Sequence, residues 1–376
     1  MTKRYCSAPW HGLHINPRGD VKTCCAGNAD MLGNINTYTV DEILNGDKMR
    51  SIREYMQEGK LHPEYCQNCL NGSNEIDWHN NINKNFDYES APNSYLYPTI
   101  VDARWNITCN QSCNYCGPSS SSGWVAITGS TYKPETRKHT DSLFRMLEDN
   151  KHRVKEVALV GGEPLLLKEN LAVLDMLKGT NCKIVVITSL NVDLENNKVF
   201  QKLKQHKNVG WSLSFDNIGK RFDYVRYGGN WEIHKKNVDT IIKLINDPNL
   251  NHSGGIHAVY SLYNCTRLVE LKEWAASKGL SIFWQRLMFE RDLDVYTQNT
   301  AVKELAIAEI EKMFKVCEVT EFEQQYFCDV LENLQRHTPK SNPLAFTQRI
   351  ETQYHPDTKG QFEKLWPEIY QALGPL

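Results

Sequence analysis

Thr99-Ile100-Val101-Asp102-Ala103-Arg104-Trp105, followed closely by Cys109-Asn110-Gln111-Ser112-Cys113-Asn114-Tyr115-Cys116, decides how this chain is read. The first run is β-branched and apolar, and reads as a strand. The second sets three cysteines at x3 and x2 spacing in the loop after it. Three thiolates on one short loop can wrap a small metal centre, and thiolates suit iron–sulfur clusters and zinc. Three ligands leave one iron of a [4Fe–4S] cube open to bind and activate something. A zinc site or three buried thiols are the plainer readings.

Outward from this stretch, short β-branched runs alternate with helix-length segments. Strands are expected at 99–105, 154–160, 183–188, 209–215, 255–261 and 280–287. Helices are expected between them at 136–150, 168–177, 195–206, 231–246 and 267–278. This alternation predicts an α/β fold of parallel βα units. The count suits a partial (β/α)6 barrel better than a closed eight-fold one, and an open sheet stays possible. In either case the chemistry belongs at the carboxyl ends of the strands. Beyond about residue 300 the chain reads as helical at 302–316, 321–334 and 362–373, with Pro367 in a first helical turn. The expected organisation is a cysteine-rich module at 1–75, a polar connector at 76–98, a barrel at 99–290 and a helical extension at 291–376.

The second expected strand ends in Gly161-Gly162-Glu163-Pro164. Two glycines at a strand end allow close backbone approach to a ligand. A carbonyl there and the Glu163 carboxylate offer acceptors to a ligand ammonium. Alone the tetrapeptide is a common turn; one βα unit after the cysteine loop it is specific. Together, Cys109-x3-Cys113-x2-Cys116, the aromatic Tyr115 and the Gly161–Pro164 turn resemble the radical S-adenosylmethionine (radical SAM) enzymes over residues 99–290. The resemblance implies that the open iron chelates S-adenosylmethionine and that one electron cleaves its sulfonium. The resulting 5′-deoxyadenosyl radical then takes a hydrogen from substrate. It implies Tyr115 near the adenine and Ser189, in the Thr188–Asn191 turn, at the cofactor. It also implies Ser214 and Asp216 near ribose or substrate, and Arg226 on the methionyl carboxylate. Helix caps and surface charge are the plainer readings of these last three.

Near the start, Cys6-x12-Gly19-x4-Cys24 precedes Cys66-x2-Cys69. Leu13–Ile15 and Val21–Cys24 flank the turn signal Asn16-Pro17-Arg18-Gly19-Asp20, which predicts a hairpin. Residues 40–59 read as one amphipathic helix with a possible break near Gly46. Four thiolates close one cluster or one zinc ribbon. The spacing resembles the auxiliary-cluster module called SPASM and its shortened form, twitch, which implies a second [4Fe–4S] cluster on Cys6, Cys24, Cys66 and Cys69. Two departures stand out: the module normally follows the radical domain, and Cys25 adjoins Cys24 as an alternative ligand. A closed cluster serves as an electron conduit or a structural clamp.

The chain has 376 residues, 12 of them cysteine, with 43 basic and 45 acidic side chains. That cysteine content is too sparse for a disulfide scaffold. The net charge of -2 makes no bulk case for nucleic acid or anionic membrane. No apolar run is long enough to span a bilayer, and residues 1–12 hold no signal core. A cytoplasmic setting, where thiols stay reduced, is expected. Cys182, Cys265, Cys317 and Cys328 read as packing thiols, with Cys265 the one candidate hydrogen donor. Trp10, Trp105 and Trp211 read as core. His257, Tyr260, Gln285 and Arg286 are strand residues that contact substrate wherever they face inward. The expected function is an oxidoreductase or related enzyme modifying a peptide or protein. The same chemistry on a small molecule (a sugar, aminocyclitol or nucleotide) is the alternative, and a non-catalytic metal protein is the third reading. An electron donor such as flavodoxin or ferredoxin is the expected partner.

Overall fold

Runs of β-branched residues make the strands, and burial alternates along them. In 183–188, Ile184, Val186 and Thr188 are buried on one face, while Lys183, Val185 and Ile187 are only half-buried on the other. The computed structural model describes residues 5–28, 32–70, 75–132, 140–287, 290–336 and 341–374. Within them nine strands form one sheet: β1 (Gly12–Ile15), β2 (Asp20–Lys22), β3 (Gly33–Asn34), β4 (Ile100–Ala103), β5 (Glu156–Leu159), β6 (Lys183–Thr188), β7 (Asn208–Ser214), β8 (Asn251–Tyr260) and β9 (Ser281–Arg286). The order is β3-β2-β1-β4-β5-β6-β7-β8-β9. Strands β4 to β9 run parallel in sequence order, each joined by helical crossovers, and form a partial barrel. Its helix-facing side is apolar: Ile184, Val209, Trp211, Ile256 and Trp284 pack among Leu174, Phe200, Val238 and Leu271.

The expected hairpin is present, β1 pairing antiparallel with β2. It does not stand apart. β1 also pairs parallel with β4, Gly12 with Ile100 through Ile15 with Ala103, so the cysteine-rich segment extends the barrel sheet at its first edge.

Residues 40–59 break at Gly46, where the sequence allows a break, into two helices, Val40–Leu44 and Asp47–Gln57. Thr39 caps the first with a reciprocal Glu42 contact, and extended Gly46 starts the second. The polar stretch 76–98 is packed rather than a free connector. It opens within a helix, Glu75–Ile82, and the Asn83 side chain donates to Ser7 Oγ at 3.2 Å and Thr99 Oγ1 at 3.1 Å. Trp10 Nε1 donates to Pro92 O at 2.7 Å, and its ring packs on Phe86.

The helical extension includes Thr300–Val316 and Glu321–Arg336. Buried Glu323 fixes the second of these to the barrel, accepting from Lys272 Nζ at 2.8 Å and Trp284 Nε1 at 3.2 Å. Trp366 interrupts the expected last helix, and Pro367 starts Pro367–Leu373. Among the described residues no helix is long and apolar enough to cross a membrane.

Candidate active site and auxiliary thiol cavity

The loop after β4 carries Cys109, Cys113 and Cys116. Cys113 is buried and the other two are half-buried. Burial pushes the thiols of Cys109 and Cys113 up to about 12 and that of Cys116 to about 11. Each thiol is raised further by one of the others, so the three lie close together. Iron displaces such protons outright. The loop is tied down by side chains: Ser121 Oγ donates to Gln111 O at 2.5 Å, and Trp124 Nε1 donates to Cys113 O at 2.9 Å.

The Gly161–Pro164 turn docks directly on this loop. Glu163 N donates to Thr108 O at 2.8 Å. A Cβ on Gly162 would lie 2.3 Å from Thr108 O and 2.6 Å from Ile107 O, so only glycine allows the approach. Gly161 has φ +136, a conformation that also favours glycine. The Glu163 carboxylate is already engaged. It accepts from Thr188 Oγ1 at 2.6 Å, Ser189 N at 3.0 Å, Ser189 Oγ at 2.9 Å and Leu165 N at 3.1 Å. Burial outweighs these contacts and raises its carboxyl. Glu163 and Ser189 therefore brace the ends of β5 and β6 against each other.

Ser214 ends β7, half-buried, on the face that Lys183, Val185 and Ile187 share. Asp216, expected beside it, is buried and bonded within the protein. Tyr115 Oη donates to its Oδ2 at 2.5 Å, Arg226 Nη2 to the same oxygen at 3.1 Å, and Val259 N to Oδ1 at 2.7 Å. Arg226 is thus paired with a carboxylate of the chain itself.

The other thiol set is separate. Cys6, Cys24, Cys66 and Cys69 line one small cavity with Ala8, Met56, Leu61 and Tyr65. Cys25 is not in its wall. Burial raises the Cys6 thiol, and Cys24, Cys66 and Cys69 raise it further, so all four converge. Among the described residues no three His, Cys, Asp or Glu side chains come close enough to grip a single ion. A four-iron cube takes one thiolate per iron and spreads them wider. Cys6 precedes β1, and Cys24 follows β2 where Thr23 O meets Gly12. This cavity therefore lies at the amino end of the strands, opposite the Cys109–Cys116 loop.

Sequence reading missed a group at the seam between β1 and β4. His14 Nε2 lies 3.3 Å from Asp102 Oδ2, and Arg104 Nη2 donates to the same oxygen at 3.0 Å. Burial would raise the Asp102 carboxyl; His14 and Arg104 outweigh it and hold it well below the usual range. The only signal was an Asp within an apolar strand. On the same sheet face, His257 meets Gln285 Oε1 at 2.9 Å. Tyr260 and Cys265 are instead buried, and Arg286 pairs with Asp294 at 2.6 Å. Trp10, Trp105, Trp211 and Cys182 are core as expected, whereas Cys328 is exposed.

Comparison with known proteins identifies two domains in the chain. Residues 107–259 match the radical SAM superfamily, and residues 6–70 match SPASM, an iron–sulfur cluster-binding domain. The chain thus carries a radical SAM domain over residues 107–259 and an iron–sulfur cluster-binding domain at its amino-terminal side. Its cofactors are accordingly iron–sulfur clusters and S-adenosylmethionine. No curated protein matches the chain. Among solved structures it is similar to anSMEcpe with bound AdoMet, at 14% identity and TM-score 0.41, over 59% of this chain and 62% of that one. It is also similar to Streptococcus suis SuiB bound to S-adenosylmethionine, at 14% identity and TM-score 0.41, over 58% of this chain and 48% of that one. The chain thus spans less than two thirds of these relatives.

Proposed function

We propose that this protein is a cytoplasmic radical SAM oxidoreductase that modifies a peptide or protein. The observation that carries the reading is the docking of the Gly161–Pro164 turn on the residues leading into Cys109. It brings an open backbone turn and three thiols to the carboxyl ends of β4 and β5. Cys109, Cys113 and Cys116 would hold the cluster with the open iron. Gly161, Gly162, Pro164, Tyr115 and Ser214 would line the S-adenosylmethionine site, with Glu163 and Ser189 fixing the turn. Cys6, Cys24, Cys66 and Cys69 would hold the auxiliary cluster. When bound, these groups supply a 5′-deoxyadenosyl radical that abstracts hydrogen from substrate.

What the chain itself supplies is position and shielding. The concave face of the sheet is open at its last strands: Ser281, Phe283 and Gln285 are exposed, Phe283 at 53%. An open face beside the reacting end suits an extended peptide better than an enclosed small molecule. A flavodoxin- or ferredoxin-like donor would supply the electron.

The reading is tested with the reconstituted chain, S-adenosylmethionine and a strong reductant. It predicts 5′-deoxyadenosine, lost in Cys113→Ala. Deuterium appearing in that product from a deuterated peptide mixture supports the peptide reading. Deuterium appearing only from a deuterated small-molecule extract overturns it.

A further inference from the structure

Arg226 and Asp216 are both buried, their side chains 8% and 1% exposed. Buried charges are costly unless compensated. Here the compensation is shared: Tyr115 and Arg226 both donate to one oxygen of Asp216, and the β8 backbone donates to the other. The guanidinium also lies 5.8 Å from the Tyr115 ring centroid. Its Nε is buried with no hydrogen-bond partner among the described residues.

This group grips the cysteine loop. Tyr115 sits between Cys113 and Cys116, and the backbone around Arg226 runs along them. Ser112 N donates to Tyr227 O at 2.8 Å, and Asn114 N donates to Val225 O at 2.9 Å. Gly228, at φ +86, and Gly229 complete the contact; a Cβ there would lie 2.8 Å from Asn110 O and 2.4 Å from Gln111 Nε2 respectively. Cys113 feels both charges: Arg226 favours its thiolate and Asp216 opposes it.

We propose that Arg226 and Asp216, paired directly and tied to the cysteine loop through Tyr115, are positioning residues of the core cluster that clamp this loop and set the charge beside Cys113, rather than contacts to the carboxylate or ribose of S-adenosylmethionine. The proposal rests on Cys109, Cys113 and Cys116 holding that cluster. A nearby cation makes a centre easier to reduce and a nearby anion makes it harder, so the two residues act with opposite sign.

The test uses the full chain with both clusters reconstituted. The paramagnetic signal that S-adenosylmethionine perturbs identifies the core cluster. Its midpoint potential and the S-adenosylmethionine dissociation constant are measured in the unmodified chain and in Arg226→Gln, Arg226→Lys and Asp216→Asn. The expected result is a lower potential in Arg226→Gln, a higher one in Asp216→Asn and near-recovery in Arg226→Lys. The dissociation constant should change by less than about threefold in Arg226→Gln. An unshifted potential with about tenfold weaker binding, as loss of a charged hydrogen bond to ligand requires, overturns the proposal.

Should Arg226→Gln fail to take up iron, Tyr115→Phe carries the test by hydrogen exchange in the reconstituted chain. Faster exchange at Asn114 and Cys116 amides is expected, and unchanged exchange overturns the clamp. Absence of any such signal in the unmodified chain overturns the cluster assignment itself. A normal signal with unshifted variants overturns the clamp alone.

Discussion

Glu163 accepts four hydrogen bonds from a position that solvent barely reaches. Two come from backbone N–H groups, which cannot turn away. In Glu163→Gln the new amide must face donors with a donor. Leaving buried groups unsatisfied costs about 1–3 kcal/mol each. The variant is expected to lose about 2–3 kcal/mol, read as a lower urea midpoint at unchanged slope. A midpoint unchanged from the parent would show that these contacts do not brace the turn. The residue scale is also where the sequence was least informative about roles. Glu163, Asp216 and Arg226 have the chemistry of ligand contacts, and the family resemblance implies that use. Their partners Thr188, Ser189, Val259 and Tyr115 lie 25, 26, 43 and 101 positions away. No local pattern encodes such pairings.

At the scale of elements, Arg53 shows how the auxiliary cavity is held. It is fully buried on helix Asp47–Gln57. Its Nε donates to Pro9 O at 3.0 Å, and its Nη2 donates to Leu44 O at 2.5 Å. These bonds join that helix to the turn after Cys6 and to the end of the preceding helix. Arg53→Met keeps the aliphatic bulk but orphans two carbonyls. The expected outcome is a fall of about 2–4 kcal/mol in stability, with iron lost from the auxiliary site first. Iron analysis alongside the intact core signal checks it; uniform loss from both sites would contradict it.

Elements were mostly legible in the sequence. β6 occupies 183–188, as its β-branched run predicts, and helix Trp231–Ile245 matches the expected 231–246 within one residue. β8 begins at Asn251, earlier than expected, because Asn251-His252-Ser253-Gly254 carries no strand signal and is recruited by pairing with β7. The parallel pairing of β1 with β4 joins residues 88 positions apart, and periodicity does not register it.

Taken as a whole molecule, the chain places its two thiol sets at opposite ends of neighbouring parallel strands. The same scale governs its response to acid. His234 is buried among Phe215, Phe222 and Trp231, with Nδ1 donating to Ser189 O at 2.7 Å. Burial pushes its pKa down to about 3, and that of His355 to about 4. Unfolded, each protonates near pH 6.5. Above that pH both states are neutral and stability is unaffected. Below it only the unfolded chain gains the proton, so stability falls from about pH 6.5 toward 4. Melting temperature should therefore drop across this window, and less steeply in His234→Gln. Parallel curves for parent and variant would show that His234 is not held neutral.

On the proposed reading, the three thiols after β4 and the four at the amino end of β1 hold separate clusters. Iron content after anaerobic reconstitution tests it most directly, in the parent and in Cys109→Ala/Cys113→Ala/Cys116→Ala. About eight irons per parent chain and about four in the variant are predicted, with 5′-deoxyadenosine formation lost. Zinc in place of iron, or an iron content that the triple variant does not lower, would contradict it.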